Sequence, residues 1–156
     1  FNFLRSNGIK IGLDTGYPPE IQDLLISVLD LEPMIDAKIS SYDVSNGRPY
    51  PFMIFHLMET LGIMDVKRVA KVGDSVRDIE EGIHAGCGVV VGVTSGADSA
   101  ANLFAHCLQL FQQKCILTSP KGAEGFRWMR SKLFFGQIAL HWYGFIVFLK
   151  YQFQFY

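Results

Sequence analysis

Cysteine is scarce, and the three that occur, Cys87, Cys107 and Cys115, form no CxxC pair. An odd, scattered set gives neither a disulfide framework nor a cysteine zinc site. It fits buried thiols in a reducing compartment, so a cytoplasmic location is expected. An excess of charge of one sign is also lacking, with a formal net charge of -1. A nucleic-acid binder needs a clear basic excess, and no nucleic-acid partner is expected. The opening Phe1-Asn2-Phe3-Leu4 has neither a methionine nor a charged leader, so no signal peptide is read there. A start at Phe1 suggests a missing upstream segment. No internal repeat is visible, and nothing reports oligomeric state.

What is present is a chain of 156 residues, 49% of them apolar. That length suits one domain with a real core, and the composition excludes a disordered chain. The first hundred residues alternate strand and helix signals. Ile9–Leu13 is a strand ending at Asp14-Thr15-Gly16. Pro18-Pro19 opens a helix carrying Ile21, Leu24, Leu25, Val28 and Leu29 at helical spacing. Ala37–Ser40 is a weak strand, and Asn46-Gly47-Arg48-Pro49 a loop. Ile54, Leu57, Met58 and Leu61 mark a helix stopped by Gly62. Val69–Val72 is a strand leading into Gly73-Asp74. Val76, Ile79 and Ile83 then mark a helix that stops near Gly86, and Gly88–Val93 is an almost unbroken apolar strand. This order predicts an α/β fold: a Rossmann-like parallel sheet with flanking helices.

After about His106 the alternation stops. Residues 1–106 are read as an α/β core and 107–156 as a divergent apolar tail, helical or irregular. Residues 133–149 (LFFGQIALHWYGFIVFL) carry no acidic or strongly basic side chain, with Arg127, Arg130 and Lys132 before them and Lys150 after. A run of that length sits at the lower edge of a membrane span. A buried helix, or a tail with no evolved structure, is preferred to the span.

Ligands in parallel sheets bind beyond the carboxyl ends of the strands, and the polar residues of interest fall there. Asp74 follows Gly73, and Asp78 comes four residues later in the first helical turn. Two carboxylates so placed form a hard-oxygen site suited to magnesium, or alternatively cap the helix. Thr15-Gly16 offers a hydroxyl and backbone N–H groups to a phosphoryl oxygen, or caps the helix before Pro18. Arg48 either offsets phosphoryl charge or is a solvated loop cation. Lys71, inside a strand, pairs with a carboxylate or lays its stem along the sheet edge. Thr94-Ser95-Gly96 is a secondary candidate for the site rim. His56 and His84 are read as partly exposed polar positions.

Taken in order, three stretches carry a resemblance: Leu13-Asp14-Thr15-Gly16-Tyr17, Asn46-Gly47-Arg48-Pro49-Tyr50-Pro51-Phe52-Met53 and Lys71-Val72-Gly73-Asp74-Ser75-Val76-Arg77-Asp78. Gly82-Ile83-His84-Ala85-Gly86 and Val91-Gly92-Val93-Thr94-Ser95-Gly96 continue it. The set resembles the haloacid dehalogenase superfamily of aspartate-nucleophile hydrolases. The Gly47-Arg48-Pro49 form points to its phosphonoacetaldehyde hydrolase (phosphonatase-like) branch. The resemblance implies that Thr15 and Gly16 bind the phosphoryl group and that Arg48 steadies the nucleophile and the phosphoryl charge. It implies that Asp74 binds Mg2+, with Asp78 supporting the metal shell, and that the substrate is a small phosphate ester or phosphonate. It also implies an N-terminal strand ending in a nucleophilic aspartate and a helical cap, and neither is matched in this sequence. Asp14 is a poor substitute, since Pro18 stands where the family pattern wants Thr or Val. The alternative expectation is a truncated, inactive fragment or pseudoenzyme, tethered to a membrane if residues 133–149 span one.

Overall fold

The computed structural model describes residues 1–94, 96–108, 114–118 and 144–148. A short helix α1 (Asn2–Ser6) leads into strand β1 (Lys10–Thr15) and helix α2 (Pro19–Val28). Strand β2 (Ala37–Ser40) follows, then α3 (Phe52–Leu61), β3 (Val69–Gly73), α4 (Val76–Ala85), β4 (Val89–Val93) and α5 (Ala100–Leu108). Two further strands are described, β5 (Lys114–Thr118) and β6 (Gly144–Phe148).

The six strands form one sheet in the order β2-β1-β6-β3-β4-β5. β1 pairs parallel with β2, β3 with β4, and β4 with β5. β6 runs antiparallel to both of its neighbours, β1 and β3. Five strands therefore point one way and one, in the middle, points back. The carboxyl ends of the five share one rim with Gly144 at the start of β6, which pairs with Asp14.

Local chemistry explains the helix limits. In α4 the Ser75 side chain accepts from the Asp78 backbone N–H while the Asp78 carboxylate accepts from the Ser75 N–H, a reciprocal cap. Gly86 ends that helix at φ 79°, a left-handed conformation that only glycine adopts without strain. Gly62 does the same for α3. Met53, Ile54 and Leu57 of α3, Ile79 of α4 and Leu103 of α5 meet Val90 of β4 in the main core cluster. Cys87 lies in it, and burial pushes its thiol up to about 12, so it stays protonated and inert near neutral pH.

The parallel α/β core is as expected, with one shift: β1 extends through Asp14 and Thr15, so both are strand residues. The residues after 106 were read as helical or irregular, but the described pieces, 114–118 and 144–148, are strands of the same sheet. Of the apolar run 133–149, residues 133–143 and 149 lie outside the described residues. Among the described residues no helix is long and apolar enough to cross a membrane.

Candidate active site

Three segments bring the predicted residues to one rim. The end of β1 supplies Thr15 and Gly16. The loop after β2 supplies Arg48, whose peptide bond to Pro49 is cis. The turn between β3 and α4 supplies Asp74. Thr15, Gly16, Arg48 and Asp74 line a single cleft of about 670 Å³, together with Tyr17, Ser41, Tyr42, Gly47, Ser75, Arg77 and Ala97. Asp78, expected beside Asp74, is fully buried beneath the cleft.

The β1 end is held by short polar ties. Ser40 Oγ donates to the Tyr17 carbonyl at 2.5 Å, and Ser41 Oγ donates to the Gly16 carbonyl at 3.2 Å. Thr15 Oγ1 accepts from the Tyr17 N–H at 3.2 Å. A side chain at Gly16 would put its Cβ 3.3 Å from an Arg48 guanidinium nitrogen, so the guanidinium lies directly over the Thr15-Gly16 turn.

Below the cleft is a buried charge network. Arg48 Nη1 donates to Asp78 Oδ1 at 2.5 Å. Lys71 Nζ donates to Asp14 Oδ2 at 2.5 Å, and it lies 3.1 Å from Asp78 Oδ1 and 2.6 Å from Glu81 Oε2. Lys71, Asp14, Asp78 and Glu81 are all fully buried. Burial alone would lower the Arg48 and Lys71 pKa values, but the carboxylates around them outweigh it and hold both cations above their usual ranges. Burial would raise Asp78, but the Lys71 and Arg48 charges overcome it and bring the carboxyl down to about 2. Glu81 goes the other way. Burial first, then the Asp14 charge, raise it to about 8, with Lys71 only partly compensating. Asp14 Oδ1 and Glu81 Oε1 have no hydrogen-bond partner among the described residues.

Carboxylate oxygens of Asp14, Asp78 and Glu81 lie within 4.8 Å of one another, a grouping with the geometry of a cation site. The Lys71 ammonium contacts all three, so the cation of that cluster is Lys71 itself. Asp74 is different. It is half-buried, its Oδ2 accepts from the Ala97 N–H at 3.3 Å, and its pKa is raised by burial and by the Asp78 charge. It lines the cleft, and no side-chain cation pairs with it among the described residues, which leaves a carboxylate for a hard divalent ion. A Cβ at Gly96 would fall 1.8 Å from Asp74 Oδ2, so this carboxylate needs a glycine opposite it.

Of the candidates read from the sequence, Thr15, Gly16, Arg48 and Asp74 lie together in the cleft. The sequence reads Asp78 as metal support or cap, and Lys71 as a carboxylate partner or a side chain laid along the sheet edge. The structure makes Asp78 a cap and the anchor of both cations, and Lys71 a partner of three acids. Glu81 was missed, although it stands three residues after Asp78 on the same inward face of α4. His84 is exposed, and its Nδ1–H donates to the Pro49 carbonyl at 2.8 Å, tying α4 to the Arg48 loop. Thr94 lies just beyond β4, and Ser95 lies outside the described residues.

Known proteins resemble this chain in sequence and in fold. Phosphonoacetaldehyde hydrolase of Syntrophobacter fumaroxidans is 37% identical over 97 residues, covering 62% of this chain and 35% of that protein. Phosphonoacetaldehyde hydrolase of Bacillus cereus (strain AH187) is 39% identical over 93 residues, covering 57% of this chain and 35% of that protein. The chain thus spans about a third of the length of the curated relatives it matches. A solved phosphonoacetaldehyde hydrolase like protein from Oleispira antarctica superposes with a TM-score of 0.60 at 28% identity, over 76% of this chain and 49% of that one. The description of the matching family model is haloacid dehalogenase-like hydrolase, and the match runs over residues 1–86, through β1, the Arg48 loop, β3 and α4. A cleft at the strand ends, an arginine fixed over a Thr-Gly turn and an acid after β3 are thus features of a chain that belongs to the haloacid dehalogenase-like hydrolase family.

Proposed function

We propose that this cleft is the phosphoryl site of a magnesium-dependent hydrolase of the phosphonoacetaldehyde hydrolase type, acting on a small phosphate ester or phosphonate. The observation that carries the reading is the convergence of Thr15, Gly16, Arg48 and Asp74 on one cleft, with Arg48 pinned by Asp78 at 2.5 Å. Thr15 donates its hydroxyl to a phosphoryl oxygen, and the N–H groups of the following turn add to it. Arg48 holds a second oxygen, and its tie to Asp78 keeps the guanidinium in place without reorganisation. Asp74 holds the magnesium ion, which when bound neutralises phosphoryl charge. Asp78 acts through Arg48 and is a positioning residue. Asp14 does not serve as the nucleophile in this reading, since it is fully buried and ion-paired with Lys71.

A second reading is favoured by β6. It fills the central place between β1 and β3 and brings Gly144, not an acid, to the rim. On that reading the chain binds magnesium and phosphoryl groups without turning them over, as a fragment or pseudoenzyme would. The purified chain is to be assayed with phosphonoacetaldehyde and an aryl phosphate in magnesium, alongside calorimetric binding of magnesium and methylphosphonate. Turnover lost in Asp74→Ala supports the hydrolase reading. Binding without turnover supports the second, and absence of binding by either ligand overturns both.

A further inference from the structure

The cleft contains a cation that the proposed reaction leaves unused. Arg77 lines it, is exposed, and makes no ion pair among the described residues. The other nearby cations are committed. Arg48 is bound to the buried Asp78, and Lys71 is fully buried among three carboxylates. Arg77 is also in a costly place. It is the second residue of α4, where the helix dipole favours an acid and disfavours a cation. The first turn is already satisfied by acids: Asp98 Oδ2 accepts from the Val76 N–H at 2.8 Å, and Asp78 completes the cap. Neither forms a salt bridge with Arg77, so local electrostatics give no account of an arginine there.

The cleft is also larger than a phosphoryl group requires. About 670 Å³ lies in the range that holds a whole small organic ligand. Thr15, Gly16 and Arg48 account for one end of such a ligand, leaving its other end to the rest of the lining, with Arg77 and the exposed Tyr42.

We propose that Arg77 is a specificity residue that recognises a second anionic group, so that the preferred ligand is a small phosphate or phosphonate bearing another anion at its far end. This rests on the phosphoryl reading of Thr15, Gly16 and Arg48. A guanidinium offers a planar pair of donors matched to a carboxylate or a second phosphoryl group. Its solvent exposure limits the gain to a modest factor.

The test is calorimetric binding, by the full chain in magnesium, of phosphonoacetate, which carries a phosphonate and a carboxylate, against ethylphosphonate, which carries only the phosphonate. The wild type is expected to prefer phosphonoacetate by about fivefold to tenfold. Arg77→Gln is expected to erase that preference while leaving ethylphosphonate affinity within about twofold, and Arg77→Lys to restore part of it. Circular dichroism of the variants checks that the fold is kept. Equal affinity of the wild type for both ligands, or a preference unchanged in Arg77→Gln, overturns the role of Arg77 and leaves the phosphoryl reading intact. Failure of the wild type to bind ethylphosphonate or phosphonoacetate overturns the phosphoryl reading and this inference with it.

Discussion

Lys71 Nζ and Asp14 Oδ2 are 2.5 Å apart, between two side chains with no exposure to solvent, on strands that are separated in the sheet by β6. The pair bridges β1 and β3 through side chains where their backbones do not touch. Removing one partner leaves buried charge uncompensated. Lys71→Met is expected to lower stability by about 3–5 kcal/mol near neutral pH. Urea unfolding of the two proteins measures this, and a loss under 1 kcal/mol would mean that the network carries little of the fold.

Glu81 predicts an unusual pH profile. A carboxyl with a folded-state pKa near 8 binds its proton more tightly folded than unfolded. Its contribution to stability is therefore largest below its ordinary pKa and is lost as pH rises toward 8. Asp78, held near 2, acts in the opposite direction: its contribution is present above its ordinary range and is lost as pH falls toward 2. Glu81→Gln is expected to flatten the decline between about pH 5 and pH 8, a decline of at most about 1.4 kcal/mol per pH unit. Melting temperatures across that window would decide it, and parallel profiles for variant and wild type would count against the assignment.

Arg48→Ala should act on both binding and stability. It takes one of two cations from a buried carboxylate, at about 1–3 kcal/mol. It should also weaken methylphosphonate binding by about tenfold or more. Calorimetry reads the first by unfolding and the second by titration. Unchanged affinity would return Arg48 to a purely structural role.

Magnesium should raise the melting temperature through Asp74. At a hundredfold excess over its dissociation constant, a ligand specific to the folded state adds about 2.7 kcal/mol. Asp74→Ala should abolish the shift. Protons compete for the same oxygens, and burial and the Asp78 charge raise the Asp74 pKa, so the shift should shrink on acidification. An equal magnesium shift in Asp74→Ala would place the ion elsewhere.

Gly73→Ala should be poorly tolerated, because the added Cβ would fall 2.2 Å from Asp78 Cβ. Relief requires moving the residue that anchors both Arg48 and Lys71. A loss of about 2 kcal/mol or more is expected, accompanied by weaker phosphonate binding. Thermal unfolding and titration of the variant check it.

Much of this was legible because the informative residues are local. The Gly73-to-Asp78 segment announces a strand end, a cap and two acids within a few positions. Thr15-Gly16 and Arg48 each sit in a short motif at a strand or loop boundary. The charge network was less legible, because a lysine inside an apolar strand gives no sign of which acids surround it. Glu81 could have been found from its helical spacing to Asp78, but a lone glutamate in a helix ordinarily reads as solvated. β6 was illegible for a different reason. Residues 133–149 are mostly apolar, broken only by Gly136, Gln137, His141 and Gly144, and such a run carries no clear helical or strand period. That β6 lies in the middle of the sheet is set by partners far away in sequence.

That distance constrains how the molecule can be made. In the sheet, β2 and β1 reach β3, β4 and β5 only across β6, and Lys10 pairs with Phe148, far away in sequence. During synthesis the two parallel halves emerge from the ribosome long before the strand that joins them. Until then β6 cannot cover the inner edges of β1 and β3, and an uncovered edge is a template for pairing with other chains. Joining the two halves is thus a long-range zipping that waits for β6 to be made, and a slow step of this kind leaves the nascent chain dependent on protection from aggregation.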